Sequence, residues 1–499
     1  MNQEAKTGKT FIGVSAIIFL SKLLGFARDI FFAGVFGTTV ITDIFQVIFS
    51  FPSLLFSSIG TALSSVNIPN LTYFTSTRTR EERNQYMSNL MAHVTLWSTI
   101  LTVAGVIFAP TISSLIAPGV SSSVDHFAIT LTRIMMPTLI FVNLTYLTTG
   151  ILQVHGYFMR SAAISIPFNL LIILALYMRG DDIVFLSYVT TIGWLLQFLI
   201  QVPVLKREKY ALPRFIRHGG QAFVSLRQLV PVLLGNSLLQ LCLILDRSFA
   251  THLGEGSTAA LSFGGNLFVT ITSVFIVAMS TVVFPRLSKY CLDEDFDSIR
   301  ALLATIFKIL LFILVPYLIL VVVYNQEIIS LVYERGAFTS ESTRMTSQAF
   351  LFYSFAVIGY ACQEIFNRVF YALKKFRLPM IVSLICLAVN IAGNQLLVGY
   401  GIAGVSISTA AALLLYAIIM FVLIHRNIGG FAYREVLVYG VKLLIPVAGM
   451  LGVIIGFKYL GAAGLIMAFL LPLMLSGLVY LALAYICQLI QVFTKKEVA

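Results

Sequence analysis

Long apolar runs separated by short polar or Gly/Pro-rich breaks follow one another along almost the whole chain. A membrane-spanning helix needs roughly 20 mostly apolar residues, and the hydropathy predicts about fourteen such spans. They lie near 11–36, 42–71, 87–116, 126–154, 161–178, 183–205, 228–252, 257–284, 301–324, 345–373, 379–398, 402–424, 438–459 and 463–490. Only 11% of the residues are charged, whereas soluble domains carry about 25%. We therefore predict an all-α polytopic membrane protein.

The net charge of +12 is explained by its placement in the loops between spans. If the amino terminus is cytoplasmic, most Lys and Arg residues of the loops fall on the inner side. The outer loops carry only Arg179, Arg335, Arg344 and Lys458. The positive-inside rule then places both termini in the cytoplasm, and the basic charge needs no nucleic acid partner. No signal-peptide cleavage pattern accompanies the first run, which we expect to remain as a span.

The two halves of the sequence resemble each other. Residues 66–73 are similar to residues 282–290, and 157–160 are similar to 374–377, at nearly the same offset. With an even number of spans in each copy, the copies have the same orientation, which predicts two parallel six-helix lobes around a central cavity. The predicted domains are an N-lobe (1–205), a cytoplasmic linker that could form an amphipathic helix (206–227), a C-lobe (228–425), and two additional helices with a short cytoplasmic tail (426–499).

Three charges interrupt the first span, at Lys22, Arg28 and Asp29. A charge at the centre of a span costs about 2.5–3.5 kcal/mol, so such residues are kept where they face protein or water. We expect Lys22 and Arg28 to face a polar cavity, with Asp29 partly neutralising Arg28, and cations in a cavity suggest an anionic cargo. The alternative is that both cations extend to the lipid headgroups, but they lie well inside the run. Asp43 is a further charge in the second span.

A second polar group is predicted in the C-lobe. Asp246 is followed by Arg247, and adjacent helical residues do not face each other. Asn390 and Asn394 lie one turn apart in the eleventh span, and Thr409 adds a hydroxyl from the twelfth. Carboxylate, amide and hydroxyl oxygens suit a hard cation such as sodium. Ordinary hydrogen bonding between helices, worth about 0.6 kcal/mol per bond, is the alternative that these residues alone favour.

Catalytic motifs are absent from the sequence. The histidines are dispersed, the five cysteines show no C-x-x-C spacing, and there is no Walker A motif, which argues against metal-dependent hydrolysis and ATP hydrolysis. We therefore expect a transporter driven by an ion gradient, by the membrane potential or by the gradient of its cargo.

Several motifs resemble those of the MurJ/MviN family, within the multidrug/oligosaccharidyl-lipid/polysaccharide exporter superfamily. The first block comprises 20–29, 36–37, 42–43 and 51–55. The second comprises 333–339, 352–353 and 368–373, with 117–119 and 284–288 between the two blocks. The resemblance covers nearly the whole chain.

The resemblance implies a flippase in the bacterial inner membrane that moves lipid II, the undecaprenyl-pyrophosphate-linked peptidoglycan precursor, to the outer leaflet by alternating access. In the family, cavity arginines hold the pyrophosphate. Arg28 matches one of them, and Lys22 stands where arginine is usual. Asn266 occupies an arginine position of the eighth span, and Phe56-Ser57 stands where arginines often follow. The substrate-binding set predicted in this way is Lys22, Arg28, Asp29, Asp43 and Asn266.

The resemblance also favours a sodium site in the C-lobe. It places the site on Asp246, Asn390, Asn394, the Val405 carbonyl and Thr409, with Asn394 replacing a carboxylate found in some relatives. No other cofactor is implied. The predicted partners are lipid II or a related polyprenyl-pyrophosphate glycan, membrane lipids and cell-wall synthesis enzymes.

Two other functions are alternatives to a lipid II flippase. A flippase for another polyprenyl-linked glycan, or a cation-coupled exporter of the same superfamily, would fit a cavity with fewer arginines. A non-transporting membrane scaffold for cell-wall synthesis is the second alternative. The charges retained inside the spans argue against a scaffold, because nothing would offset their cost of insertion.

Overall fold

The computed structural model describes residues 2–119, 125–180, 182–210, 231, 233–429, 432–459 and 466–493. Nearly all of these residues are helical, which confirms the predicted all-α class. Most of the predicted 206–227 linker and the end of the carboxyl-terminal tail lie outside the described residues. We call the face of the bundle at which the first helix begins the inner face and the opposite one the outer face.

The described residues of the first half of the chain form ten helices. They are α1 (Asn2–Phe36), α2 (Val40–Thr77), α3 (Arg80–Ile107), α4 (Ala109–Ile116), α5 (Asp125–Met135), α6 (Thr138–Val154), α7 (Phe158–Ala162), α8 (Ser165–Met178), α9 (Ile183–Leu199) and α10 (Val202–Arg207). Helix α2 packs extensively on α6, and α8 packs on both α1 and α9. These helices form the N-lobe in the description that follows.

The second half forms nine further α-helices among the described residues. They are α11 (Leu238–Ala250), α12 (Ser257–Leu292), α13 (Phe296–Tyr333), α14 (Ser340–Phe355), α15 (Val357–Ala372), α16 (Arg377–Leu397), α17 (Gly401–Ile428), α18 (Tyr433–Tyr459) and α19 (Leu471–Ile486). Helices α11 to α17 form the C-lobe, and α18 and α19 pack on each other and, through α18, on α13. The exact residue boundaries of the predicted domains stay a prediction.

Eight helical segments of the described chain are long and apolar enough to cross a membrane, or nine when the bent pair α14–α15 is taken as one span. The predicted count of about fourteen therefore stays a prediction. Several predicted spans are each built from two helices. The fourth is broken at Pro137, because proline lacks the N–H that continues the helix, and the tenth bends by 42° between α14 and α15.

One apolar core joins the two lobes towards the outer face. Phe32 of α1 stacks on Phe45 of α2 with ring centroids 5.2 Å apart, and its ring lies 6.2 Å from that of Phe263 on α12. Phe263 also contacts Tyr333 at the end of α13 and Phe338 in the following loop. Aromatic pairs of this kind add about 0.5–1.5 kcal/mol each to the gain from burial. The lobes are therefore held together by packing at this level.

Main-chain atoms make a second contact between the lobes near the outer face, which we call the outer seam (Gly34, Gly37, Gly336 and Ala337). The Ala337 amide donates a hydrogen bond to the Gly34 carbonyl at 2.8 Å. Gly37 and Gly336 have positive φ angles of 56° and 59°, which glycine adopts without strain. A Cβ atom at Gly336 would overlap the Gly34 carbonyl, and one at Gly37 would overlap the Ala337 carbonyl. The close approach of the two main-chain segments, residues 34–37 and 336–337, requires both glycines.

Candidate substrate and cation sites

Arg28 is held on α1 between a carboxylate and an amide. Its Nη2 lies 2.7 Å from Asp29 Oδ1 and its Nε donates to the same oxygen at 3.0 Å. Its Nη1 donates to Asn169 Oδ1 on α8 at 3.2 Å, and the guanidinium lies over the Phe168 ring. Asp29 thus neutralises Arg28, and four contacts fix the guanidinium at the boundary between the lobes.

Arg28, Asp29 and Asn266 line one small cavity of ≈ 40 Å³ at the lobe boundary, so the structure brings these three predicted residues together. Its other walls are mostly apolar side chains of α1, α2, α8 and α9. A cavity of this size has room for little more than water. The protein is therefore closed around this site, and a diphosphate would enter only after the lobes separate.

Arg247 joins this group, although in the sequence it stands out only as a neighbour of Asp246. Its side chain is 3% exposed, and its Nη2 donates to Asn266 Oδ1 at 3.2 Å. It lies within electrostatic range of both Asp29 and Asp246. One signal in the sequence points to Arg247. It is a cation inside an apolar run, directly after Asp246, which is itself a predicted site residue.

Lys22 lies apart from the Arg28 cavity. Its Nζ donates to Ser273 Oγ on α12 at 3.2 Å, which is a contact between the lobes. It also lines a separate cavity of ≈ 390 Å³ towards the inner face, among hydroxyl and amide side chains that include Ser21, Thr149 and Gln153. The structure therefore places Lys22 and Arg28 at two different sites. The side chains of Phe56 and Ser57 lie outside the described residues.

Asp43 holds the lobes together instead of lining a cavity in this state. Its Oδ2 accepts a hydrogen bond from the Gly256 amide and its Oδ1 accepts one from the Ala259 amide, both at 2.7 Å. These amides belong to the beginning of α12, where unpaired N–H groups and the helix dipole favour a negative charge. Asp43 is 8% exposed, so this contact is shielded from water.

The predicted cation site comes together in the C-lobe. Asp246 is fully buried and accepts hydrogen bonds from Thr409 Oγ1 at 2.6 Å, Asn394 Nδ2 at 2.8 Å and Asn390 Nδ2 at 3.4 Å. Tyr353 adds a fourth donor at 2.9 Å. The sequence alone does not identify Tyr353, because its contact with Asp246 depends on how α14 packs against α11.

The donor set fits a monovalent hard cation. The side-chain oxygens of Asn390 and Asn394 are buried and without a hydrogen-bond partner, which is a costly arrangement unless a ligand uses them. Val405 is also fully buried. The described residues contain no group of three or more His, Cys, Asp or Glu side chains that would suit a transition metal or a highly charged site. Asp246, Asn390, Asn394, the Val405 carbonyl and Thr409 would hold the ion through oxygen atoms.

Solved structures share this architecture and define the class of protein. The structure described as "Lipid II flippase MurJ, inward closed conformation" matches with a TM-score of 0.80 and 25% identity, over 95% of this chain and 98% of that one. An inward-facing multidrug resistance MATE family transporter of the MOP superfamily matches with a TM-score of 0.64 and 17% identity, over 84% and 98% of the two chains. The fold is therefore the helical membrane-transporter fold that these two structures share.

Sequence comparisons narrow the class to one family. The family model described as "Lipid II flippase MurJ" matches residues 32–476, and the chain belongs to this family. A lipid II flippase MurJ of Burkholderia cenocepacia is 27% identical over 84% of both chains. A probable lipid II flippase MurJ of Buchnera aphidicola is 28% identical over 84% of this chain and 83% of the relative. The family consists of transporters and not of enzymes.

Proposed function

We propose that this protein is a flippase that moves lipid II from the inner to the outer leaflet of the bacterial inner membrane by alternating access, with both termini in the cytoplasm. Membership of the MurJ family supports the cargo, and the loop charges support the orientation. The observation that carries the proposal is the Arg28 guanidinium, which is fixed at the boundary between two lobes beside a closed cavity.

The diphosphate of the cargo is the group that Arg28 would bind. Guanidinium groups form paired, charge-assisted hydrogen bonds with phosphate oxygens. In the closed state Asp29 accepts two hydrogen bonds from Arg28. A diphosphate therefore has to compete with Asp29 for the guanidinium. This exchange would keep the charge of Arg28 neutralised when the site is empty and would release Asp29 when the cargo binds.

The remaining predicted residues have separate parts in the proposed cycle. Lys22, at the inner cavity, would attract the anionic headgroup before it reaches Arg28. Asp43 would keep the outer face closed while the cargo enters from the inside. Sodium at the Asp246 site would neutralise a buried carboxylate and so favour one packing of the C-lobe. Cell-wall synthesis enzymes that consume lipid II are the proposed protein partners.

Complementation of a strain depleted of its own flippase tests the proposal. Arg28→Ala is expected to abolish growth while the protein still reaches the membrane at the wild-type level, and Arg28→Lys to retain part of the activity. Arg133→Ala is the matched control, because Arg133 is an exposed arginine of the N-lobe helix α5 away from the cavity. Normal growth and normal exposure of labelled lipid II on the outer leaflet with Arg28→Ala would disprove the proposal.

A flippase for a different polyprenyl-pyrophosphate glycan is the second candidate, and Asn266 favours it because this neutral residue replaces a cavity arginine. Depleted cells that accumulate lipid II inside despite correct insertion of the wild-type protein would support this candidate over the first.

A further inference from the structure

We propose that Arg247 is the guanidinium with which the C-lobe binds the diphosphate of the cargo, opposite Arg28 of the N-lobe. The inference rests on the proposed function and extends it to a residue outside the predicted binding set. It also accounts for Asn266, because Arg247 places its charge directly against the amide that stands in the arginine position.

The first observation is the direction in which two adjacent side chains of α11 point. Asp246 contacts α14, α16 and α17 through Tyr353, Asn394 and Thr409. Successive residues of a helix are about 100° apart, and Arg247 contacts Asn266 on α12 instead. Because Asn266 lines the cavity with Arg28 and Asp29, Arg247 is separated from that cavity by a single amide group.

The second observation is that Arg247 is buried without an acidic partner. Its side chain is 3% exposed. No Asp or Glu of the described residues forms an ion pair with it, whereas Arg28 has Asp29 and Arg368 has Glu364. A guanidinium has five N–H donors, and the hydrogen bond to Asn266 uses one of them. A buried charge is costly unless it is paired, so an anion bound in the opened cavity would remove this cost.

The chemistry of the ligand follows from the two guanidinium groups. Arg28 and Arg247 come from opposite lobes, with Asp29 within electrostatic range of both. A diphosphate offers two phosphate groups, and each can accept a paired hydrogen bond from one guanidinium. A monophosphate offers only one such group. We therefore expect Arg247 to contribute more to the binding of a diphosphate lipid than to the binding of a monophosphate lipid.

Binding of undecaprenyl diphosphate and undecaprenyl monophosphate to the purified full-length protein in nanodiscs tests the inference. Arg247→Gln is expected to weaken diphosphate binding by about tenfold, on the scale of one lost charge-assisted interaction, and to change monophosphate binding less than threefold. Arg247→Lys should lie between the two, because it keeps the charge without the planar fork. Arg133→Gln, which removes the charge of an exposed arginine on α5 away from the cavity, is the control and should retain diphosphate affinity. Diphosphate affinity of Arg247→Gln equal to that of the wild type would overturn the inference.

A double variant separates ligand binding from simple neutralisation of Asp29. If Arg247 only balances the charge of Asp29, then Asp29→Asn should restore diphosphate binding in the Arg247→Gln protein, and this result would overturn the inference. If Arg247 binds the ligand, the double variant stays weak. Failure of the proposed function looks different, since the wild-type protein would then bind no diphosphate lipid and Arg28→Ala would change nothing. If Arg28→Ala loses diphosphate binding and Arg247→Gln does not, the inference about Arg247 is overturned and the proposed function stands.

Discussion

Lys22 Nζ on α1 and Ser273 Oγ on α12 form a hydrogen bond of 3.2 Å between the lobes on the inner side, where the ammonium group is exposed. On the outer side, Asp43 accepts two hydrogen bonds of 2.7 Å in a buried environment. A hydrogen bond to a buried charged group contributes about 1.5–3 kcal/mol, and an exposed one contributes less. The inner contact is therefore the weaker of the two, and we expect the lobes to separate first on the inner side.

Asp43→Asn is expected to open the outer face. The variant loses the negative charge that the first turn of α12 stabilises, so the ratio of outward-open to closed protein should rise by about tenfold or more. Pulsed electron resonance between spin labels at Ser114→Cys and Ser340→Cys would measure the change, with the partly exposed Cys291 and Cys487 replaced by serine.

Asp125→Asn is the control for this measurement, because Asp125 is an exposed acidic residue at the beginning of α5. An unchanged distance distribution for Asp43→Asn would show that the Asp43 contact does not hold the outer face closed.

Gly336→Ala should destabilise the closed state through the backbone. The residue has a φ of 59°, which costs a residue with a Cβ about 1–2 kcal/mol, and the added atom would overlap the Gly34 carbonyl. We expect a lower midpoint of thermal unfolding and a longer Ser114–Ser340 label distance. Gly477→Ala has nothing within 4 Å of the new atom and should leave both quantities unchanged.

Sodium is expected to stabilise the protein through Asp246. At ten times its dissociation constant, an ion that binds only the folded state adds about 1.4 kcal/mol to the free energy of unfolding. Thermal unfolding in nanodiscs should therefore shift upwards in sodium relative to choline, and Asp246→Asn should lose the shift. Glu364→Gln, at a C-lobe acid that pairs with Arg368, should keep it. A sodium shift that survives Asp246→Asn would place the ion elsewhere.

His155 is expected to make the inner face of the N-lobe sensitive to acid. The residue follows α6, and its ring nitrogens lie 2.8 Å from Tyr210 Oη and 3.4 Å from Glu208 Oε2. Burial lowers the pKa of His155, Glu208 opposes this effect, and Arg83 adds to it. Burial also raises the pKa of Tyr210 to about 12, so that this neighbour stays neutral. The folded protein therefore favours neutral His155.

Because the unfolded chain binds a proton at His155 more readily, the stabilisation is complete above the unfolded pKa of about 6.5 and decreases as the pH falls below it. Hydrogen exchange of residues 202–210, corrected for intrinsic rates, should be faster at pH 5.5 than at pH 7.5. His155→Gln should remove this difference. A difference that persists in the variant would show that His155 is not its source.

Much of the polar cluster around Asp246 could be predicted from the sequence, because Asn390 and Asn394 lie one turn apart and Asp246 stands in an apolar run. Tyr353 could not, since its contact with Asp246 depends on how α14 packs against α11. The separation of Lys22 from Arg28 follows from their spacing, because six residues correspond to about 600° and place the two side chains on different faces of α1. Closure of the cavity depends on the relative position of the lobes, which no local pattern encodes.

The outer seam has a consequence for how the sequence can change over time. Its central hydrogen bond joins two main-chain groups, and its glycines contribute no side chains. Substitutions around it can therefore change the polarity or size of neighbouring side chains without removing this main-chain hydrogen bond, provided that both glycines remain. A closed outer face is thus compatible with changes among the residues of the predicted substrate site, and we expect cargo selectivity and closure of the outer face to vary independently.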